Sequence, residues 1–294
     1  MDASSKFIDK DISVKHWLKI GRWRMRRIRT AVRWGFEKLA ATPAVFGNAM
    51  PKSGSHLINQ VLQGLTEIGP FVISGFPPVN RTEDNRQLSE RAILEKLYQM
   101  MPGDISYGYL GARDNYFEAL NRPGIGSIFV YRDPRDMIIS HVFYATEMLE
   151  DHGMHRYYNE KLSTMEERIN AAIGGVEEAG FELKGVRARY EGYVGWREQP
   201  SILCLRFEDL RLELESSLNR ILDYLENRGY QPKIDRHDAV NILARAIQPQ
   251  KSGTFRKGQP GSWREHFTQK NIGFFKESTG NLLVELGYEK NNDW

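Results

Sequence analysis

The chain has 294 residues and 40% apolar content, enough for one large α/β domain or two small ones. A formal net charge of only +3 gives no argument for nucleic acid as a partner. The single cysteine, Cys204, excludes an intrachain disulfide and a thiolate metal cluster, and its place in the apolar run Ile202-Leu203-Cys204-Leu205 points to a buried, inert thiol.

No stretch approaches about 18 uninterrupted apolar residues, so no membrane-spanning helix is expected. The start, Met1-Asp2-Ala3-Ser4-Ser5, lacks the apolar core of a secretory signal, and a reducing cytoplasmic setting suits the chain. Residues 1–42 read as a basic, aromatic-rich helical extension ahead of a domain at 43–294. Between Lys15 and Lys38 the only acid is Glu37, and Trp17, Trp23 and Trp34 are interleaved with arginines. Four readings stay open for this segment. It could pack its Trp and Ile side chains on the main domain with solvated arginines, rest on anionic membrane through residues 15–38, form a positive lid over an anionic ligand, or bind nucleic acid through its local charge.

From residue 43 the pattern changes. A buried strand is expected at 42–50, then the loop Pro51-Lys52-Ser53-Gly54-Ser55, then a helix at 56–68. A second strand is expected at 71–74, a helix at 83–101 and an apolar strand at 126–131. Asp133-Pro134 opens a helix running to about Leu149, since proline suits a first helical turn. Residues 166–196 read as mostly helical, 201–207 as a buried strand, and 212–228, 237–247 and 272–287 as helices. Strands alternating with helices predict an α/β fold: a P-loop-like three-layer α/β/α arrangement with a mostly parallel central sheet.

Three segments carry anion chemistry. Gly47-x-x-x-x-Pro51-Lys52-Ser53 stands one residue from the nucleotide P-loop pattern, with proline where that pattern wants glycine. Amides at a helix N-terminus, the Lys52 charge and the Ser53 and Ser55 hydroxyls would favour a phosphate. An ordinary helix cap by Ser53 or Ser55 is the alternative. Nucleoside triphosphate hydrolases hold Mg²⁺ with a carboxylate after a second apolar strand. Here the strand 127–131 ends in Arg132, so the phosphate is expected to be held by cations without metal. Arg132 and Ser140 could converge on a second phosphate, while Asp133, Arg135 and Asp136 could equally form an ion-pair set around the helix start. The third segment is Thr254-Phe255-Arg256-Lys257-Gly258-Gln259-Pro260-Gly261-Ser262-Trp263, a basic, glycine-containing loop.

Together these segments resemble the PAPS-dependent sulfotransferase family, which uses 3′-phosphoadenosine 5′-phosphosulfate (PAPS) as donor. Pro51-Lys52-Ser53-Gly54-Ser55 is similar to its 5′-phosphosulfate loop, and Tyr131-Arg132-Asp133-Pro134-Arg135-Asp136 with Ser140 to its 3′-phosphate motif. Arg256-Lys257-Gly258-x-x-Gly261-Ser262-Trp263 resembles its C-terminal signature, and Phe207-Glu208-Asp209-Leu210 its Tyr-Glu-Asp-Leu. The resemblance implies transfer of a sulfuryl group from PAPS to a hydroxyl or amine of a small-molecule, lipid or glycan acceptor, releasing adenosine 3′,5′-bisphosphate (PAP). It implies no metal. It implies that Lys52, Ser53, Gly54 and Ser55, with His56 following, hold the 5′-phosphosulfate. Arg132 and Ser140 would hold the 3′-phosphate with Arg256, Lys257 and Gly258, and Phe207 and Phe255 complete the nucleotide set. Lys52 would stabilise the leaving oxygen, with Ser140 as a further donor.

Departures from the family pattern matter. Leu57 replaces a tryptophan that flanks adenine, and Phe207 replaces a tyrosine. In Tyr107-Gly108-Tyr109-Leu110-Gly111, Tyr109 stands where the family has its base histidine and Tyr107 where it has a lysine. Tyr109 is therefore the candidate base or a wall of the acceptor pocket. His56, His141, Asp104 and Asp114 are further candidates for the base. The alternative is a catalytically impaired relative that binds PAP or PAPS. A P-loop kinase is a third reading, opposed by Pro51 and Arg132. The acceptor pocket falls in the stretches 74–118 and 145–195.

Overall fold

The apolar runs that become the two central strands are continuous rather than alternating, as strands covered on both faces require. The computed structural model describes residues 13–178, 181–251 and 258–294. In chain order the elements begin α1 (Val14–Trp34), α2 (Phe36–Ala41), β1 (Ala44–Ala49), α3 (Ser55–Ile68), β2 (Val72–Ile73), α4 (Glu90–Tyr98), β3 (Asp104–Gly108), α5 (Asp114–Leu120) and β4 (Ile125–Tyr131). They continue α6 (Pro134–Phe143), α7 (Met165–Gly174), β5 (Gly175–Glu178), β6 (Phe181–Lys184) and α8 (Val186–Val194). The last are β7 (Leu203–Arg206), α9 (Phe207–Leu212), α10 (Leu214–Glu226), α11 (Arg236–Ala246), α12 (Gln269–Thr279) and α13 (Leu282–Glu285).

The described residues up to Tyr131, with Gly195–Pro249, make one compact unit. Its five-stranded sheet runs in the order β2-β3-β1-β4-β7 and every pairing is parallel, as the α/β expectation required. β1 and β4 are buried at every residue. Helices cover both faces, giving three layers. On one face Val45, Ile105, Ile128, Val130 and Leu205 share a core with Leu62 and Leu65 of α3, Leu222 and Leu225 of α10, and Leu243 of α11. The other face presents Ser127, whose hydroxyl bonds the Leu120 carbonyl at the end of α5, and Phe129, whose ring meets Trp196 at 6.4 Å. β1 is central. The chain leaves it toward β2 and β3 on one side and returns to β4 on the other. The carboxyl end of β1 is therefore a topological switch point, where open α/β sheets place ligands.

α1 lies along the edge strand β2. Ala31, Leu39 and Val72 form a small cluster with Trp23 against it. The Arg26 guanidinium donates to the Ser74 carbonyl at 2.6 Å, and Trp23 Nε1 and Arg27 both donate to Asp104, at 2.9 and 2.7 Å. The extension is two helices rather than one, because Gly35 takes φ +104° and breaks the ladder. α4 begins at Glu90, later than the expected 83, because Asn85 turns the chain at φ +60° and Ser89 caps the helix by accepting from the Ala92 amide.

Arg132–Val194 and Gln250–Trp294, in their described residues, make a second unit. The stretch expected to be mostly helical from 166 to 196 is interrupted by the antiparallel hairpin β5–β6. Gly174 and Gly175 stop α7, and Gly175, at φ +91°, lies so close to the Leu183 carbonyl and the Gly185 amide that a Cβ would sit 2.6 Å from each. α6 ends at Phe143, and a π-helical turn carries the chain on through Met148. Asp136 of α6 ties down the C-terminal glycine turn. It accepts from the Gly261 amide at 2.6 Å, the Ser262 hydroxyl at 3.1 Å and the Trp263 amide at 2.9 Å.

Candidate active site

The site is clearest in the loop between β1 and α3. Lys52 and Gly54 both take left-handed backbone, at φ +66° and +97°. Alternation of that kind turns successive amides toward one side and suits an anion. Gly54 is needed there for a second reason: a Cβ would stand 2.5 Å from the Phe207 ring. Gly54 is also the N-cap residue of α3, and the helix has no side-chain cap. The alternative of a plain serine cap therefore does not hold. Ser53 is fully buried, and its hydroxyl has no hydrogen-bond partner among the described residues. A buried unsatisfied hydroxyl beside uncapped helix amides is a donor set that fits a phosphate or sulfate group. Ser55 opens α3, and its Oγ accepts from the Tyr109 hydroxyl at 3.0 Å. His56 is exposed, and partial burial of its ring, then the neighbouring Lys52 charge, lower its pKa.

Tyr109 is held over this loop by polar side chains that pattern reading passes over. The buried Asn48 of β1 bonds both polar groups of Leu110, accepting from its amide at 2.9 Å and donating to its carbonyl at 3.0 Å. Trp196 Nε1 donates to the same carbonyl at 2.8 Å, and the Tyr109 amide donates to Asn80 at 3.2 Å. The one available signal was an asparagine inside an apolar strand, since a buried amide must find partners. Tyr107 lies on β3 beside Gly47 of β1, and burial pushes its phenol up to about 12, against a role as base. Asp104 stands at the opposite end of β3 from Tyr109. It is consumed by Trp23, Arg27 and the Met101 amide, so it anchors α1 and is no candidate base. Asp114 lies exposed in the first turn of α5. Phe207 is buried at the start of α9, its ring against Gly54. Cys204 is half-buried rather than fully buried, and desolvation holds its thiol up at about 11.

β4 ends at Tyr131, and Arg132 opens the second unit. Arg132 is buried, and its carbonyl accepts from the Tyr190 hydroxyl at 2.7 Å. Asp133 caps α6 through the Arg135 amide. Arg135 is structural: it pairs with Asp133 at 2.7 Å and Glu289 at 2.6 Å and lies against the rings of Trp263 and Trp294. Ser140 is half-buried on α6, two turns from its start. His141 faces rings of the unit's interior, 5.4 Å from His152 and 5.9 Å from Tyr158. Gly258 is described, whereas Phe255, Arg256 and Lys257 lie outside the described residues.

Comparison with known proteins agrees with this chemistry. A family model described as a sulfotransferase domain matches residues 115–287, more than half of the chain. That span includes Arg132, Ser140, Phe207 and Gly258. A 3-alpha-hydroxysteroid sulfotransferase of Cavia porcellus is 25% identical over 158 residues, 48% of this chain and 50% of that protein. An amine sulfotransferase of Oryctolagus cuniculus is also 25% identical over 158 residues, 48% of each chain. The chain thus spans about half the length of the curated relatives it matches. Among solved structures, the mouse sulfotransferase SULT7A1 complexed with PAP aligns with a TM-score of 0.56 at 16% identity, over 85% of this chain and 90% of that one. Retinol dehydratase in complex with androsterone and PAP aligns with a TM-score of 0.54 at 13% identity, over 88% and 85%. These structures share the fold.

Proposed function

The chain belongs to the sulfotransferase domain family, and from that premise we propose that it transfers a sulfuryl group from PAPS to a hydroxyl or amine of a small-molecule or lipid acceptor and releases PAP. The observation that carries the donor assignment is the buried, unpartnered Ser53 hydroxyl at the uncapped start of α3. In this reading Lys52, Ser53, Gly54, Ser55 and His56 hold the 5′-phosphosulfate, with Phe207 behind the loop. Arg132 and Ser140 hold the 3′-phosphate with Arg256, Lys257 and Gly258, and Phe255 completes the nucleotide set. No metal enters.

The bond changes are simple. The acceptor oxygen or nitrogen forms a bond to sulfur as the bond from sulfur to the bridging oxygen breaks, and PAP leaves with that electron pair. Lys52 meets the charge on the leaving oxygen, and Ser140 adds a fixed donor. Preorganised donors of this kind are worth about 3–4 kcal/mol each. The acceptor's proton must go to a base, and Tyr109 is the side chain the loop geometry offers, through its bond to Ser55. Androsterone and retinol in related structures, and the hydroxysteroid and amine named for relatives, support an apolar acceptor with one nucleophilic group.

Incubation with PAPS and a panel of phenols, alcohols and amines tests this, with PAP release as the readout. Calorimetry with PAP should show binding that falls when Lys52→Ala or Arg132→Ala is introduced; unchanged binding in both variants refutes the donor site. The second reading is a nucleotide-binding relative without turnover, favoured by the Tyr109 hydroxyl already being engaged with Ser55. It predicts normal PAP binding, silence with every acceptor, and activity gained by Tyr109→His. Residues 15–38 add a proposed peripheral contact with anionic membrane, independent of the donor chemistry.

A further inference from the structure

The inward face of α1 is mixed. Ala31 and Trp23 pack with Leu39 and Val72, and beside them Lys19 pairs with Glu83 at 2.5 Å, Arg27 with Asp104, and the Arg26 guanidinium donates to a backbone carbonyl. The outward face is apolar. Val14, Trp17, Leu18, Met25, Ile28 and Val32 are all more than half exposed, from 51% to 74%. Their three- and four-residue spacing, with Gly21 filling the gap, draws one stripe roughly 100° wide along a helix about 30 Å long. Phe36, 68% exposed, extends the apolar surface into α2.

Arginines border the stripe. Arg22, Arg29 and Arg33 lie along one side and Arg24 on the other, all exposed and none with an acidic partner among the described residues. The acids within reach of α1, Glu83 and Asp104, are taken by the inward cations, and Asp84 lies 3.6 Å from Lys15. The outward face therefore asks for a partner that is apolar beneath and negative at its surface. A second copy of α1 is a poor match for this face, because residues 14–34 contain no Asp or Glu to answer the flanking arginines. Such side chains can extend toward a charged layer while the stripe between them enters an apolar one. No helix among the described residues is long and apolar enough to cross a membrane.

We infer that α1 lies flat on an anionic lipid bilayer, with Trp17, Leu18, Met25, Ile28 and Val32 inserted and Arg22, Arg24, Arg29 and Arg33 at the headgroups. This inference rests on the proposed peripheral contact of residues 15–38 and supplies the face and the residues that make it. Donor chemistry is not part of it.

The test is sedimentation of the full chain with vesicles of phosphatidylcholine alone, or of phosphatidylcholine with phosphatidylglycerol, at low and high salt. Wild type should pellet with the anionic vesicles and weaken on adding salt. Trp17→Glu with Ile28→Glu, and separately Arg22→Gln, Arg29→Gln and Arg33→Gln together, should each weaken binding at least about tenfold. PAP titrations and thermal melts of the same variants should match wild type, so loss of membrane binding and failure of the nucleotide site are told apart. Wild type that stays in the supernatant overturns the inference, as does a glutamate variant that binds as tightly as wild type. A lipid-free dimer abolished by Ile28→Glu also overturns it, in favour of a second copy of this chain.

Discussion

Gly54→Ala isolates the physical demand that the phosphate loop makes on its backbone. The residue sits at φ +97°, where an L side chain costs about 1–2 kcal/mol. The added Cβ would also lie 2.5 Å from Cδ2 and 3.2 Å from Cε2 of Phe207, itself buried under the loop. Overpacking of that kind costs about 1–3 kcal/mol. The sum, about 2–5 kcal/mol, is a large part of the about 5–15 kcal/mol that stabilises a typical domain. Urea unfolding of wild type, Gly54→Ala, Phe207→Leu and the double variant separates the two terms. Phe207→Leu in the alanine background should recover the overpacking share and leave the backbone share. PAP affinity should fall in Gly54→Ala, because the loop must move to admit the methyl group. A coupling below about 0.5 kcal/mol between the two sites would refute the claim that Phe207 sets the position of the loop.

Tyr109→Phe should leave PAP affinity unchanged and lower kcat by about 10²–10⁴-fold if Tyr109 takes the acceptor proton; a phenylalanine variant with full kcat assigns the tyrosine to the pocket wall. Asp104 offers a pH test. Burial raises its pKa in the folded state, despite bonds from Trp23, Met101 and Arg27 that pull the other way. The stability it contributes is complete below its unfolded pKa and is lost as pH rises through the raised folded value. The stability of wild type relative to Asp104→Asn should therefore fall as pH rises above about 4. His56 has the opposite sign. Its pKa is lowered by burial and Lys52, so its contribution is present above the unfolded value and is lost as pH falls. A bound anion offsets the Lys52 charge, so PAP should bind more tightly as pH drops from about 7 to about 5.5, and His56→Gln should flatten that profile in calorimetry. Asp136→Ala strands three donors of the turn at 261–263; a loss of about 2–4 kcal/mol in urea unfolding is expected.

Much of the framework is legible in the chain. β1 and β4 are continuous apolar runs because both their faces are covered, and α3, α10 and α11 follow helical spacing closely. The chemistry of the loop at 51–55 is also local, since lysine, serines and glycine there ask for an anion whatever surrounds them. β3 escapes such reading. Asp104-Ile105-Ser106-Tyr107-Gly108 alternates over five residues only, with two apolar side chains and a closing glycine, and pairing with β1 and β2, far off in sequence, makes it a strand. The hairpin β5–β6 escapes too, because Glu177, Glu178 and Glu182 favour a helix locally and the glycine break at 174–175 prevails.

Residue chemistry along the chain settles composition at each anchor: which residues can hold an anion, and where an apolar strand must be buried. Direction is left to the folded arrangement. It gave Asp104 to α1 rather than to catalysis, turned the Tyr109 hydroxyl onto Ser55 through Asn48, Asn80 and Trp196, and chose which side of α1 faces out. The physical reason is that hydrogen bonds and ion pairs between segments far apart in the chain follow from three-dimensional placement, which no local period or propensity encodes.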